Sequence, residues 1–427
     1  MIETMRTKPS TLAAKIIARA AGQDDVRAGD IVTCQVDLAM MHDSSGPRRV
    51  KPKLEEIGAH IWDPGKIVVI TDHFVTEPDP ESNAIQALAR TWVVANGVAH
   101  FHEAQGICHV VLPERGYVLP GMFVVGADSH STTAGAFGCV TIGVGATDMA
   151  GVLATGSIWV RVPSTILVRA NSRLAEGVAA KDIMLMLCRR IGINGANYKV
   201  VEFGGPAVTA LPMEERMVLT NMSAELGAKT GIIEADGETL AALARWGVAI
   251  DDVDRWRSDA DATYEDVIEF NANQLSPQVA APHSPENSAP VGEHAGTRIH
   301  QAYIGACTGA KLEDLRMAAR ILRGRKITTD VRFFVAPASV RMAEQAKAEG
   351  TLSLLEEAGA KVLPSSCGAC IGLGPAGLGE GEVGISTTAR NFRGRMGAQT
   401  SQTYLASPYT VAATAITGRI TDPREFL

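Results

Sequence analysis

Apolar residues in this chain fall mostly into short unbroken runs, and the segments between them change to helical spacing. KIVVITD (66–72), MFVVGAD (122–128) and STILVRA (164–170) are apolar and β-branched on both faces. That is the pattern of strands covered on both sides. ICHVVLP (107–113) reads as another such strand, as do KVVEFGG (199–205) and IHQAYIGAC (299–307). Helical spacing marks Pro80 to Gly97, with Ala84, Leu88, Trp92 and Val93 on one side. It also marks AAKDIMLMLCRRIG (179–192), stopped by Gly192, and LPMEERMVLTNMSAELG (211–227). The N-terminal MIETMRTKPSTLAAKIIARAAG reads as a short amphipathic helix. Strands spaced by helices predict an α/β fold with substantially parallel sheets. A second unit is expected to begin near Pro163. A linker is expected at 273–297, which carries four prolines, many small polar residues and little periodicity. The expected units are therefore 1–163, 164–285 and 286–427.

With 427 residues, 46% of them apolar and 20% charged, the chain can bury a large core, which excludes bulk disorder. A net charge of −7 and the lack of a basic or aromatic stripe argue against nucleic-acid binding, an RNA regulator included. No apolar run is long enough to cross a membrane, and the N-terminus lacks a signal-peptide core, so a cytoplasmic protein is expected. Seven cysteines are too sparse for a disulfide scaffold.

The candidate chemistry falls in three places. SSCGACIGLG (365–374) pairs Cys367 with Cys370. A C-x-x-C can be a redox disulfide, half a zinc site, part of an iron–sulfur site or two buried thiols. The accompanying Gly372, Gly374 and Gly377 form a G-x-G-x-x-G, but no helix opens after it as a dinucleotide site needs. Cys307 lies between an apolar run and a helix, with Thr308 or Gly309 expected near the helix start, where the dipole favours a thiolate. Three cysteines would leave one iron of a four-iron cluster open, the mark of a Lewis-acid site. Cys34, Cys108, Cys139 and Cys188 sit in apolar runs as packing residues. The second place is the set His42-Asp43, Asp72-His73, His109 and Asp128-Ser129-His130, at strand ends or turns. Such pairs suit proton handling, and the carboxyl ends of strands are where open α/β sheets bind ligands. The third is STTARNFRGRMG (386–397), where Arg390 and Arg395 sit in a turn and can fork onto carboxylates.

In order along the chain, VDLAMMHDSSGP, VITDHF, QGICHVVLPE, GADSHSTTAGAFG, TNMSAELGAKTG, IGACTGAKLEDLR, SSCGACIG and GEVGISTTARNFRGRMG resemble the aconitase superfamily. The similarity is to its 3-isopropylmalate dehydratase and homoaconitase large subunits. The resemblance implies three α/β/α domains around one [4Fe–4S] cluster per subunit, held by Cys307, Cys367 and Cys370. It implies that Asp72, His73, His109, Asp128, Ser129, His130 and Glu225 are catalytic. It further implies that His42, Asn221, Arg390 and Arg395 contact substrate or the cluster, with Asn221 and Glu225 on one helix face. The family's carbon base, a serine, lies on a fourth, swivel domain. The resemblance therefore implies a separate small subunit, in a heterodimer or heterotetramer, and a small hydroxy-dicarboxylate substrate. Isomerisation of 2- and 3-isopropylmalate is the expected activity; 2,3-dimethylmalate dehydratase and homoaconitase are alternatives. A binuclear metallohydrolase built on the Asp/His set would leave the cysteines unexplained.

The chain departs from the family pattern at two amides. Gly309 follows Cys307-Thr308 where asparagine is usual, and Ala389 precedes Arg390 where asparagine is usual. Ala369 replaces the usual proline and Ser366 the usual glycine beside the cysteine pair. Losing two amides removes donors that could tune a cluster or hold substrate.

Overall fold

The computed structural model describes residues 9–75, 79–250 and 253–427. The first eight residues of the expected N-terminal helix lie outside these; the helix itself is Leu12–Ala21, capped by Thr11 and closed by left-handed Gly22.

Three sheets organise the chain. The first is wholly parallel, in the order His100–Glu103, Ile67–Thr71, Leu38–His42, Phe123–Gly126, Val140–Gly143. The second is also parallel, in the order Thr230–Ile233, Val200–Gly204, Thr165–Asn171, Asp266–Asn271. The third has seven strands and is mixed: Gln402–Ala406, Val383–Ser386, Gln301–Ile304, Arg332–Val335 and Lys361–Val362 run parallel. Its far edge is the antiparallel hairpin Gln278–Ala280 and Ser288–Pro290. A two-stranded antiparallel ribbon, Ile31–Gln35 with Ser157–Arg161, stands apart. Leu38–His42, Ile67–Thr71 and Phe123–Gly126 are buried at every position, as strands covered on both faces must be. The expected helices are present at Pro80–Ala95, Ala180–Ile191 and Met213–Met222. Among the described residues no helix is long and apolar enough to cross a membrane.

Four expectations are corrected. The stretch 107–113 is not a strand: Cys108–Glu114 is a helix, buried at all seven positions. A segment enclosed on every side has no polar face to reveal its period. Its first turn is fixed from outside, by the Asp72 carboxylate accepting the Cys108 N–H at 2.7 Å, a favourable charge for a helix start. Nor is 273–297 a linker. It carries the edge hairpin, whose Gln278 N–H is held by buried Asp182 at 2.7 Å. Cys307 does not sit at a helix start, because the helix Leu312–Leu322 is capped by Lys311. Finally, Asn221 and Glu225 do not share one α-helix; Glu225 lies in the 3-10 turn Ser223–Leu226 that follows it.

Candidate active site

Parallel strands of two sheets end at the same place. His42 closes Leu38–His42, Asp72-His73 follow Ile67–Thr71, and Asp128 follows Phe123–Gly126. From the third sheet, Cys307 follows Gln301–Ile304 and Arg390 follows Val383–Ser386. The second sheet contributes through the end of helix Met213–Met222, which carries Asn221.

The histidines are each held by a carboxylate or a neighbouring ring. His73 Nδ1 is 2.6 Å from Asp72 Oδ1, His109 Nε2 is 2.8 Å from Asp128 Oδ1, and His130 Nε2 is 2.8 Å from Glu225 Oε1. His42 stacks on His73 with ring centroids 4.1 Å apart, and its Nε2 lies 3.6 Å from Asp128. Ser44 N–H donates to His42 Nδ1 at 3.2 Å, and the Ser45 hydroxyl lies 3.1 Å from Nε2. Arg390 donates from Nε to Glu225 at 3.0 Å and from Nη2 to the Ser129 hydroxyl at 3.0 Å. On the cysteine side, the Asn221 amide donates to Cys307 Sγ at 3.1 Å, and Cys367 N–H donates to the Asp72 carbonyl at 2.9 Å. The residues singled out in the sequence thus form one connected cluster.

Electrostatics sort these groups. Burial alone would push His73 down, but the Asp72 charge and hydrogen bond, with Asp43 and Asp128 behind them, raise it to about 9. Burial likewise opposes ionisation of Asp72, Asp128 and Glu225, yet their histidine partners, with Arg390 beside Glu225, hold all three below the usual carboxylate range. Burial and the nearby Cys370 charge push Cys307 up to about 12, against the Asn221 amide. Of the cysteine pair, Cys370 ionises first, because Cys367 donates to it and Arg395 and His130 lie near.

Asp72→Asn is expected to lower the His73 midpoint well below about 9, since burial then acts with only Asp43 and Asp128 opposing it. The stabilisation from charged His73 is full below its ordinary value of 6.5 and is lost as pH rises through about 9. Histidine NMR titration of both cluster-free proteins checks this; a variant midpoint still near 9 would refute it.

The sequence argument named Asp43 beside His42 without a separate role, and it missed Lys181 and Thr387. Asp43 is buried and accepts the His73 and Phe74 N–H groups and the Gln86 amide, so it fixes the turn that presents His73. Its only signal was its place after His42 at a strand end. Around the two departures, Thr387 occupies the space an asparagine side chain would enter. A Cβ on Gly309 would lie 2.1 Å from Thr387 Cβ. The Thr387 hydroxyl lies 2.9 Å from both Gly305 N and Gly305 O. Buried Lys181 then ties the two loops together: its ammonium donates to the Thr387 and Thr388 carbonyls at 2.7 Å each and lies 3.5 Å from the Thr308 hydroxyl. The loops that carry Gly309 and Ala389 are therefore joined by the Thr387 hydroxyl and by Lys181. Gly309→Asn alone is expected to destabilise the cluster-free protein by about 1–3 kcal/mol through overpacking. Adding Thr387→Gly should recover part of that in denaturant unfolding; a single variant as stable as the parent would contradict the close packing.

Chemically, two side-chain groups offer converging metal ligands, namely His42 with Asp43, Asp72 and His73, and His109 with Asp128 and His130. The three cysteines offer a third donor set. Four buried polar atoms around this region lack protein partners among the described residues: Ser131 Oγ, Asn221 Oδ1, Tyr303 OH and Arg395 Nε. Orphans of this kind are rare in a finished interior and mark groups whose partner is not protein.

The family model of the aconitase family (aconitate hydratase) matches residues 14–298 and 292–418. The chain belongs to the aconitase family. Among aconitase-family relatives, it is 46% identical to the 3-isopropylmalate dehydratase large subunit 1 of Methanopyrus kandleri, over 98% of this chain and 99% of that one. It is 43% identical to the methanogen homoaconitase large subunit of Methanocaldococcus jannaschii, over 96% and 99% respectively. In fold it is similar to the crystal structure of Thermococcus kodakaraensis aconitase X (holo-form), with a TM-score of 0.50, 14% identity and 84% of each chain covered. Membership of this hydro-lyase family implies an iron–sulfur cluster. The three cysteines, with the unpartnered Tyr303 hydroxyl beside the pair and Arg395 beside Cys370, are a donor set that fits one.

Proposed function

We propose that this chain is the large, cluster-binding subunit of a 3-isopropylmalate dehydratase, isomerising 2- and 3-isopropylmalate by dehydration and rehydration. The observation that carries the reading is the meeting of Cys307, Cys367 and Cys370 with three His–carboxylate pairs at shared strand ends. In this reading the three cysteines hold one [4Fe–4S] cluster. When bound, it supplies a Lewis-acidic iron that polarises the substrate hydroxyl and a carboxylate.

The chain's own residues do the rest. Arg390 has Nε committed to Glu225 and Nη2 to Ser129, so it would take a substrate carboxylate at Nη1. Arg395 is the second carboxylate anchor. His73 stays protonated to about pH 9 and so can give a proton to the departing hydroxyl oxygen across the working range. His130 is the second group facing the departing oxygen, its ring held by Glu225. Asp72 and Asp128 fix the rings of His73 and His109, and neither carboxylate competes for the proton. Asn221 donates to the Cys307 sulfur and aligns that ligand. His42, stacked on His73, closes the site beside it. The base that removes the carbon-bound proton would come from a small subunit with a swivel domain, in keeping with relatives that are themselves named large subunits. We place the units of the large subunit at the sheet boundaries, near residue 163 and near residue 275.

A homoaconitase is the second reading, because the relative of that name is nearly as similar. Reconstituted with its small subunit, the enzyme is expected to turn over 2-isopropylmalate faster than homocitrate or 2,3-dimethylmalate, and to be nearly inactive without that subunit. Preference for either competitor would replace the substrate assigned here. A fully loaded complex inert toward all three would overturn the reading.

A further inference from the structure

The phenol of Tyr303 lies along its own strand, Gln301–Ile304, toward the loop that carries Cys307. A Cβ on Gly305 would sit 2.2 Å from the ring and 2.3 Å from the hydroxyl, so glycine at 305 makes the room for this side chain. The ring packs in a small apolar group with Phe334, Ala336, Ala369 and Met396. Its hydroxyl reaches the turn between the paired cysteines, 3.7 Å from where a Cβ on Gly368 would stand. The residue is only 1% exposed, and among the described residues the hydroxyl has no hydrogen-bond partner. Phenylalanine would fill the same apolar pocket without burying an unsatisfied oxygen, and buried tyrosines normally find an acceptor.

We propose that the Tyr303 hydroxyl donates a hydrogen bond to a sulfur of the cluster held by Cys307, Cys367 and Cys370, and so raises the cluster's reduction potential. The inference rests on the cluster reading above. Tyr303 touches no substrate; it is a positioning residue that acts through the cluster. A donor aimed at sulfur favours the more negatively charged state of an iron–sulfur centre.

The test is an anaerobic dithionite titration of the reconstituted holoenzyme, followed by electron paramagnetic resonance. Tyr303→Phe, with its iron and sulfide unchanged, is expected to shift the midpoint to more negative values. A tenfold change in the oxidised-to-reduced ratio at fixed potential is about 59 mV for one electron. Incorporating 3-fluorotyrosine at position 303 gives a more acidic donor in the same space and should shift the midpoint the other way. This second variant decides the matter should Tyr303→Phe fail to load. A loaded Tyr303→Phe or fluorotyrosine protein with the parent midpoint would overturn the hydrogen bond and leave the cluster reading intact. A parent protein that holds no acid-labile sulfide after reconstitution would overturn both.

Discussion

Replacing Cys307, Cys367 or Cys370 singly with alanine is expected to take iron and acid-labile sulfide from about four of each per chain to nearly none. The contrast lies with the other four cysteines. Cys34, Cys108, Cys139 and Cys188 are as buried as Cys307, but it is Cys307 that faces Cys367 and Cys370. Alanine at any of these four should leave the metal content unchanged. Cys108 is the stringent control, since it lies in the site yet its role there is through its backbone N–H, donated to Asp72. A loss of sulfide in Cys108→Ala equal to that in Cys307→Ala would break the assignment of three ligands.

Glu225→Gln should lower kcat by about 10²- to 10⁴-fold, the usual range for a disabled proton-transfer group, while leaving iron and sulfide in place. One carboxylate serves two partners here: it faces His130 Nε2 at 2.8 Å and accepts Arg390 Nε at 3.0 Å. Glutamine keeps the shape but turns one of those oxygens into an N–H₂ donor. Either the imidazole or the guanidinium then faces a donor instead of an acceptor, and half-buried Arg390 loses the counter-charge it holds through Nε. Steady-state kinetics of the two-subunit enzyme, with metal analysis of the same sample, checks this. Unchanged kcat would remove Glu225 from the machinery.

The framework of the site was legible because covered parallel strands announce themselves as apolar runs ending in polar residues. That is how Asp72, His73, Asp128 and the arginine turn could be singled out before any fold was known. What stayed hidden had no period or composition of its own. Cys108–Glu114 is enclosed on all sides, so helix and strand look alike there. The hairpin near 285 reads as a linker because its prolines and small polar residues are held by partners distant in sequence, such as Asp182. Lys181, Thr387 and Tyr303 act through contacts made only when separate loops meet, and a single residue type at a single position carries no sign of that. The departure at Gly309 was visible, but its meaning lay in Thr387, whose side chain fills the space.

The dependence of the cysteine loops on residues from the other two sheets has a consequence for biosynthesis. Cys367 is pinned by the Asp72 carbonyl and Cys307 by the Asn221 amide, while Arg395 lies beside Cys370. A nascent chain still short of residue 395 lacks part of the pocket, and one whose sheets have not yet docked lacks the rest. On the cluster reading, a complete pocket for iron and sulfide exists only once the chain has passed residue 395 and the sheets have come together.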